Sequence, residues 1–233
     1  MRLLALDAAT ESCSVALLCD GEVMERAGAA GKVHAQQLLS MVSEVLAEGQ
    51  ISLGNLDGIA ASIGPGAFTG VRVSVAVAQG LAFGAGLRVA AVSTLEALAL
   101  QALQDRCPEP QPTHAIACLD ARMQEVYWGC FAADARHGVI ATSSPRVSTP
   151  QAVMPPWTPC VGIGRGFAAF PALAVLPGLE LRLGAASAAP RAREFARLGA
   201  LRLMLGQALD PADLQPLYLR DKVAQTEAER AAH

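Results

Sequence analysis

Hydrophobic and polar positions along the first hundred residues alternate in segments that predict a repeating order of strands and helices. The stretch RLLALD predicts a buried strand ending at Asp7, and in CSVALLCDGEVMERA two apolar runs meet at Asp20-Gly21, a pair typical of a hairpin turn. In HAQQLLSMVSEVLAEG the apolar residues recur at helical spacing until Gly49 ends the pattern. Strand LDGIAASIG, helix 69–85, strand LRVAAVS and a helix beginning near Thr94 complete the order βββαβαβα.

From Thr113 the same order returns in weaker form. HAIACLD predicts a strand ending at Asp120, and EVYWGCFAAD with HGVIATSS predicts a hairpin. CVGIGRG and LELRLG suit further strands, and PRAREFARLGALRLMLG suits a helix. Because each half begins with a strand ending in Leu-Asp and continues into a hairpin, we expect two similar α/β lobes facing a cleft.

The boundary between the lobes is predicted in DRCPEPQPT, where three prolines within five residues break the preceding helix. We therefore predict a first lobe over 1–104, a second, smaller lobe over 113–209, and a C-terminal tail over 210–233.

The amino-acid composition and net charge exclude several classes of protein function. With 233 residues, 52% of them hydrophobic, the chain can bury a large core. A net charge of −3 argues against a protein that holds nucleic acid mainly through its own phosphate contacts, so any link to RNA would need a partner. Lys32 and Lys222 are the only lysines, which excludes a lysine-centred phosphate site. Six scattered cysteines without a CxxC pair, and no apolar run long enough for a membrane span, predict a reduced, cytoplasmic protein.

The loop Gly64-Pro65-Gly66 joins a predicted strand to a predicted helix. Backbone N–H groups and the positive end of the helix dipole at such a junction can receive a phosphate. The Walker pattern is absent, however, and Gly-Pro-Gly is also an ordinary tight turn. Both interpretations remain open at this stage.

The helix that follows carries small residues on one face. Ala76, Gly80 and Gly84 are four residues apart, and each glycine costs up to about 1 kcal/mol relative to alanine in a helix. Close approach of another helix would offset that cost. The chain's own first helix and a partner protein are equally good candidates for that neighbour.

Asp7 and Asp120 end equivalent strands, so they could face each other across the cleft and hold a hydrated Mg²⁺. Capping or turn roles explain two such aspartates equally well. The four histidines form no ligand pair, and the chain contains no G-x-S-x-G nucleophile elbow. A solvated face is favoured over an RNA-facing one for the late-helix arginines Arg191, Arg193, Arg197 and Arg202.

Taken together, several segments resemble, in order, the bacterial TsaB family, also called YeaZ: RLLALDAATESCSVALL, VHAQQLL, LDGIAASIGPGAFTGVRVSVAVAQGLA, VSTLEALA, LDARMQEVYWGCF and PLYLRDKVA. The resemblance implies the actin/Hsp70/sugar-kinase (ASKHA) fold, built from two ribonuclease-H-like lobes. It also implies a role in making N6-threonylcarbamoyladenosine beside the anticodon of tRNA.

In this family the catalytic member is a sister protein, TsaD, which binds its metal through an H-x-x-x-H segment. Thr94 and Leu98 occupy those two places here, so the resemblance implies a chain with no metal site and no catalysis. Ala8-Ala9-Thr10 also replaces a glycine-bearing phosphate turn, which implies no cofactor, or ATP or ADP bound weakly or only at an interface. The vestigial nucleotide cleft would comprise Asp7, Thr10, Glu11, Gly64, Gly66 and Asp120.

The resemblance further implies the partners. The chain is expected to pair with a TsaD-like subunit through its helices 34–48 and 69–85, to be joined by a TsaE-like ATPase, and to meet tRNA only through the complex. Alone, it is expected to self-associate through the same surface. The residues predicted for that interface are Leu38, Met41, Val45, Val71, Ser74, Val75, Ala78, Gly80 and Ala82.

Two rival functions come from the enzyme class. A small-molecule kinase on the same fold would use Asp7 and the Gly-Pro-Gly loop around Mg-ATP. A peptidase would need a metal pair or a nucleophile elbow, and the sequence contains neither pattern.

Overall fold

The computed structural model describes residues 1–28, 35–104 and 112–220, and these form two mixed sheets, one in each half of the chain. The first sheet has the order β3-β2-β1-β4-β5, with an antiparallel hairpin on one side of β1 and parallel strands on the other. Its strands are β1 (Arg2–Asp7), β2 (Ser14–Cys19), β3 (Glu22–Ala27), β4 (Gly58–Ser62) and β5 (Val89–Val92), and the helices of this half are α1 (Ala35–Glu48), α2 (Phe68–Ala85) and α3 (Thr94–Gln104).

The second sheet repeats this plan with the order β11-β10-β6-β7-β8, and a short strand, β9, pairs with β7. Its strands are β6 (His114–Arg122), β7 (Glu125–Asp134), β8 (Gly138–Ala141), β9 (Arg146–Ser148), β10 (Cys160–Ile163) and β11 (Leu179–Leu181), followed or interrupted by helices α4 (Gly166–Ala169) and α5 (Ala192–Met204). The two-lobed ASKHA fold predicted from the sequence is confirmed. Strand β9 was not predicted, and the proline-rich linker at 105–111 lies outside the described residues.

Strand β1 explains why the first half folds as it does. Leu3 and Ala5 enter one buried cluster and Leu4 and Leu6 enter another, because successive side chains of a strand point to opposite faces. Both faces of this sheet are therefore covered by helices, as is usual where strands are parallel. The predicted hairpin turn is also present, with Asp20 and Gly21 at φ values of 50° and 96°.

Helices α1 and α2 cover one face of the first sheet, and α5 covers the other. Chain order predicted α5 with the second lobe, yet α5 packs on β1, β2, β4 and β5. Helix α3 shows the converse arrangement, because it follows the first sheet in sequence but packs on β6, β7, β8 and β10. The α3–α5 pair thus fills one continuous core between the sheets.

Polar contacts hold α5 in this position. The backbone N–H groups of Ala192 and Arg193 donate to the Ser14 hydroxyl (2.9 Å) and the Glu25 carboxylate (3.1 Å), so first-sheet side chains satisfy the free donors of the helix N-terminus. Near the other end, Arg202 donates to both carboxylate oxygens of Glu96 on α3 at 2.8 Å. The two halves are therefore joined by side chains as well as by apolar packing.

In the described part of the chain, α2 is the one helix whose length and composition alone would allow it to cross a membrane. Its residues Val71, Val75, Ala78 and Ala82 are buried, in line with packing against the first sheet. The cysteines of the described ranges are all free thiols, as predicted.

Gly199 provides a test of the contact between α5 and the first sheet. A Cβ at this position would overlap the Ala60 side chain on β4, so Gly199→Ala forces the helix away from the sheet. We expect the substitution to lower the free energy of unfolding by about 1–3 kcal/mol in urea denaturation. Gly80→Ala is the matched control, because nothing lies within 4 Å of its added Cβ, and it should raise stability by up to about 1 kcal/mol. Equal effects of both changes would contradict this packing.

Candidate functional site

The exposed face of α2 is the first candidate site, because small and large apolar residues are exposed together on it. Thr69, Arg72, Ala76, Gly80 and Phe83 follow one another at helical spacing and are all exposed. Phe83 is 72% exposed, a high value for a side chain of this size. No atom lies within 4 Å of a Cβ built on Gly80 or its neighbour in space, Gly84. The small-residue face predicted from the sequence therefore points outward and meets no other part of the described chain.

This result corrects the predicted interface. Gly80 is exposed, but the other predicted residues belong to the chain's own core: Leu38, Met41, Val45, Val71, Ser74, Val75, Ala78 and Ala82. They are buried because α1 and α2 cover the first sheet, and side chains with at most 6% of their surface exposed offer little area to a partner. Three exposed α2 residues that the prediction did not include are Phe68, Arg72 and Phe83.

A groove of about 330 Å³ continues this surface toward the start of α1. Apolar and small side chains form most of its wall: Ala35, Phe68, Thr69, Arg72, Val73, Ala76 and Val77 line it. Leu39 on α1 is exposed as well. We call the surface formed by Phe68, Arg72, Ala76, Gly80 and Phe83 together with this groove the α2 face.

The cleft between the two halves is a second candidate site, with a volume of about 290 Å³. Thr10, Glu11, Gly66 and Asp120 line it, as predicted. Asp7 and Gly64 do not line it, because both are buried behind the loop. The predicted arrangement in which Asp7 faces Asp120 across the cleft is therefore absent.

The Gly-Pro-Gly loop packs directly on the turn after β1. A Cβ at Gly66 would overlap the carbonyl oxygen of Ala9, and a Cβ at Gly70 would overlap that of Ala8. The N–H group of Ala67 donates to the Ala9 carbonyl at 2.7 Å, so a donor that could cradle a phosphate is already used. These glycines serve close backbone packing, and the residues at this turn do not fit a phosphate.

Asp7 is fully buried and acts inside the fold. One carboxyl oxygen accepts from the Ala9 N–H at 3.0 Å, and the other, Oδ2, has no hydrogen-bond partner among the described residues. Burial raises the pKa of Asp7 from its ordinary 3.8 to about 6, against the lowering effect of its hydrogen bonds. The Asp7 carboxyl group is therefore costly to ionise, and it has no accessible surface through which to contact a ligand in the cleft.

Arginines bind the carboxylates that do line the cleft. Glu11, from the first half, pairs with Arg165 and with Arg122 (3.5 Å), both from the second half. Arg122 also pairs with Asp120 at 3.2 Å. Within the described ranges no group of three His, Cys, Asp or Glu side chains is placed to hold a metal ion. These ion pairs bridge the two halves, and the cleft carboxylates are neutralised by them.

The two positions that the resemblance matches to metal-binding histidines lie in the core. Thr94 and Leu98 are both without exposed surface on α3. The hydroxyl of Thr94 has no hydrogen-bond partner among the described residues. Neither position offers a ligand atom to a surface site.

The late-helix arginines are occupied by ion pairs. Arg191 and Arg197 contact Glu194, while Arg193 pairs with Glu25 at 2.8 Å. Burial raises the pKa of Glu194 to about 7, although the two guanidiniums oppose that shift. This arrangement favours the structural interpretation over an RNA-facing one.

Comparison with known proteins gives consistent results. A family model described as "TsaD: tRNA N6-adenosine threonylcarbamoyltransferase" matches residues 28–143. The chain is 36% identical over 231 residues to the tRNA threonylcarbamoyladenosine biosynthesis protein TsaB of Escherichia coli K12, with 96% of each chain covered. It is 45% identical over 128 residues to the protein of the same name from Haemophilus influenzae, covering 55% of this chain and 52% of that one.

Two solved structures from Pseudomonas aeruginosa are similar along nearly the whole chain. One, described as YeaZ, has a TM-score of 0.84 and 37% identity, and the match covers 94% of this chain and 99% of that one. The other is described as an uncharacterized protein with similarity to peptidase YeaZ, with a TM-score of 0.83, 36% identity and the same coverage.

The buried Asp7 carboxyl predicts a pH-dependent effect. Because its pKa is raised on folding, its neutral form contributes stability below pH 3.8, and that contribution is lost as the pH rises through about 6. Asp7→Asn removes the cost of the buried charge, so we expect it to raise the free energy of unfolding at pH 8 by on the order of 2 kcal/mol. The gain should disappear near pH 4 in urea denaturation. Exposed Asp213→Asn is the control, and the same pH trend in both variants would contradict the burial argument.

Proposed function

Because this chain belongs to the TsaB family, we propose that it acts in the biosynthesis of N6-threonylcarbamoyladenosine in tRNA, as a non-catalytic partner of a TsaD-like transferase. The observation that carries the proposal is the 36% identity to the Escherichia coli TsaB protein along 96% of both chains. The match includes both halves, so the whole protein, and not one shared lobe, supports the assignment.

The absence of catalysis in this chain is proposed from its donor groups. At the places of the two metal ligands of the catalytic sister, Thr94 and Leu98 are buried and provide no imidazole. The turn at Ala8 and Ala9 is packed against glycines of the facing loop, which argues against independent binding of ATP. Nucleotide bound at an interface with a partner is compatible with this argument.

The α2 face is the surface we propose for the TsaD-like subunit. It combines exposed aromatic rings, a stripe of small residues and an apolar groove, the composition expected at the centre of a protein interface. The small side chains at Ala76 and Gly80 would let the backbone of a partner helix approach α2 closely. Self-association of the isolated chain would use the same surface.

The remaining parts of the complex follow from the same proposal. A TsaE-like ATPase joins the pair, and tRNA is met through the complex because this chain has a net charge of −3. The site of action is the cytoplasm, where tRNA is modified.

The rival functions have less support. A kinase on this fold would need Asp7 and the Gly-Pro-Gly loop around Mg-ATP, but Asp7 is buried and the loop is packed against Ala9. A peptidase would need a metal pair or an activated nucleophile, and the described residues include no candidate metal cluster.

Reconstitution of tRNA modification tests the proposal. The assay combines tRNA, a TsaD-like subunit, a TsaE-like ATPase and the enzyme that makes the threonylcarbamoyl-adenylate donor, with and without this chain. We expect modified adenosine only when the chain is present, and none from the chain alone. Equal product in its absence would contradict the proposal.

Substitutions at Gly80 provide the matched series. Gly80→Leu places a bulky side chain on the α2 face and should abolish complex formation, whereas Gly80→Ala should keep it. Ala168→Leu, which adds a similar apolar side chain at an exposed position of α4, is the control for non-specific effects. Denaturation of each isolated variant shows whether a loss of binding arises from unfolding.

A further inference from the structure

One cation on the α2 face is held in an unusual way. The guanidinium carbon of Arg72 lies 3.6 Å from the ring centroid of Phe68 and 5.8 Å from that of Tyr218. The Nε–H of Arg72 donates to the Tyr218 hydroxyl at 2.9 Å. Two aromatic rings and one hydrogen bond therefore fix the plane of an exposed guanidinium.

Arg72 differs from the other arginines near it in having no carboxylate partner. Arg122, Arg165 and Arg220 each form an ion pair with a described glutamate. Within residues 1–28, 35–104 and 112–220, Arg72 forms none, and its terminal N–H groups have no acceptor. An oriented guanidinium whose two terminal NH₂ groups have no acceptor among the described residues can bind a bidentate anion.

The groove beside Arg72 indicates which anion fits. Among the described residues that line it, the wall is apolar apart from Arg72 and the hydroxyl of Thr69, and Arg72 is the only charged one. A nucleic acid backbone would need several cations along one track, and the described residues that line this groove supply one. An amphipathic helix with one carboxylate beside its apolar face matches both the groove and the charge.

We propose that Arg72 is the charged anchor of the α2 face: it receives an aspartate or glutamate from the TsaD-like subunit, whose helix occupies the adjacent groove. This inference rests on the proposed function and adds to it the chemistry of the partner. The apolar groove and the stripe at Ala76 and Gly80 supply contact area, and Arg72 fixes the register of the partner helix along α2.

Tyr218 makes the C-terminal segment part of this anchor. The segment is tied to the first half by a hydrogen bond from the Leu217 N–H to the Ile63 carbonyl at 2.7 Å. It is tied to the second half by the ion pair between Arg220 and Glu125. Tyr218 is thereby held in reach of Arg72 from a position 146 residues away in the chain.

The test measures binding of the full chain to the TsaD-like subunit by calorimetry at low and high salt. Arg72→Met keeps most of the apolar stem and removes the charge, so we expect Kd to rise about 10-fold or more. Arg72→Glu places like charges together and should raise Kd about 100-fold or more. The salt dependence of Kd should fall in Arg72→Met. Tyr218→Phe, which keeps the ring and removes the hydroxyl, should give a smaller loss.

Arg136→Met, at an exposed arginine of the second half, is the matched control and should bind like wild type. Unchanged Kd for both Arg72 variants would overturn the inference. If Gly80→Leu still abolished binding in that case, the proposed function would stand without this anchor. If wild type itself failed to bind, the proposed function would fail first. Normal binding of the Arg72 variants with loss of tRNA modification would instead assign Arg72 to RNA and also overturn the proposal.

Discussion

The contact between the Gly-Pro-Gly loop and the turn after β1 governs most of what this protein can do. Gly66 and Gly70 allow the loop and the first turn of α2 to approach the carbonyl groups of Ala9 and Ala8. This packing uses the Ala67 N–H group, a donor that could otherwise receive a phosphate. It also fixes the position of α2 on the first sheet, so that Val71, Val75 and the other buried residues of α2 face inward. As a consequence, Arg72, Ala76 and Gly80 lie on the solvent-exposed side of α2.

The second constraint is the exchange of helices between the halves. With α5 on the first sheet and α3 on the second, the two lobes share one core and cannot separate without exposing both helices. Ion pairs between Glu11 and arginines of the second half reinforce this arrangement at the cleft.

The sequence predicted the order of strands and helices well, because periods of two and of 3.6 residues reflect local geometry. Periodicity shows that a helix has a buried face, but it does not say which sheet covers that face. Chain order placed α3 in the first lobe and α5 in the second, whereas each packs on the sheet of the other half. The same limit explains the predicted interface: both faces of α2 are apolar or small, so Val75 and Gly80 could not be separated without tertiary packing. The role of Arg72 was still less accessible, because it depends on Tyr218, far away in sequence.

We propose that a TsaD-like partner covers the α2 face of this chain. Cysteine footprinting measures this directly. Cys13, Cys118, Cys130 and Cys160 are buried. Cys19 is half-buried and Cys107 lies outside the described residues, so both are first replaced by serine. One variant, Ala76→Cys, places a reactive thiol on the α2 face, and the other, Ala168→Cys, places one at an exposed position of α4. The alkylation rate of each introduced thiol is followed by mass spectrometry. We predict that the TsaD-like subunit slows alkylation at position 76 and leaves position 168 unchanged. Unaltered alkylation at position 76 in a complex that forms would contradict the account.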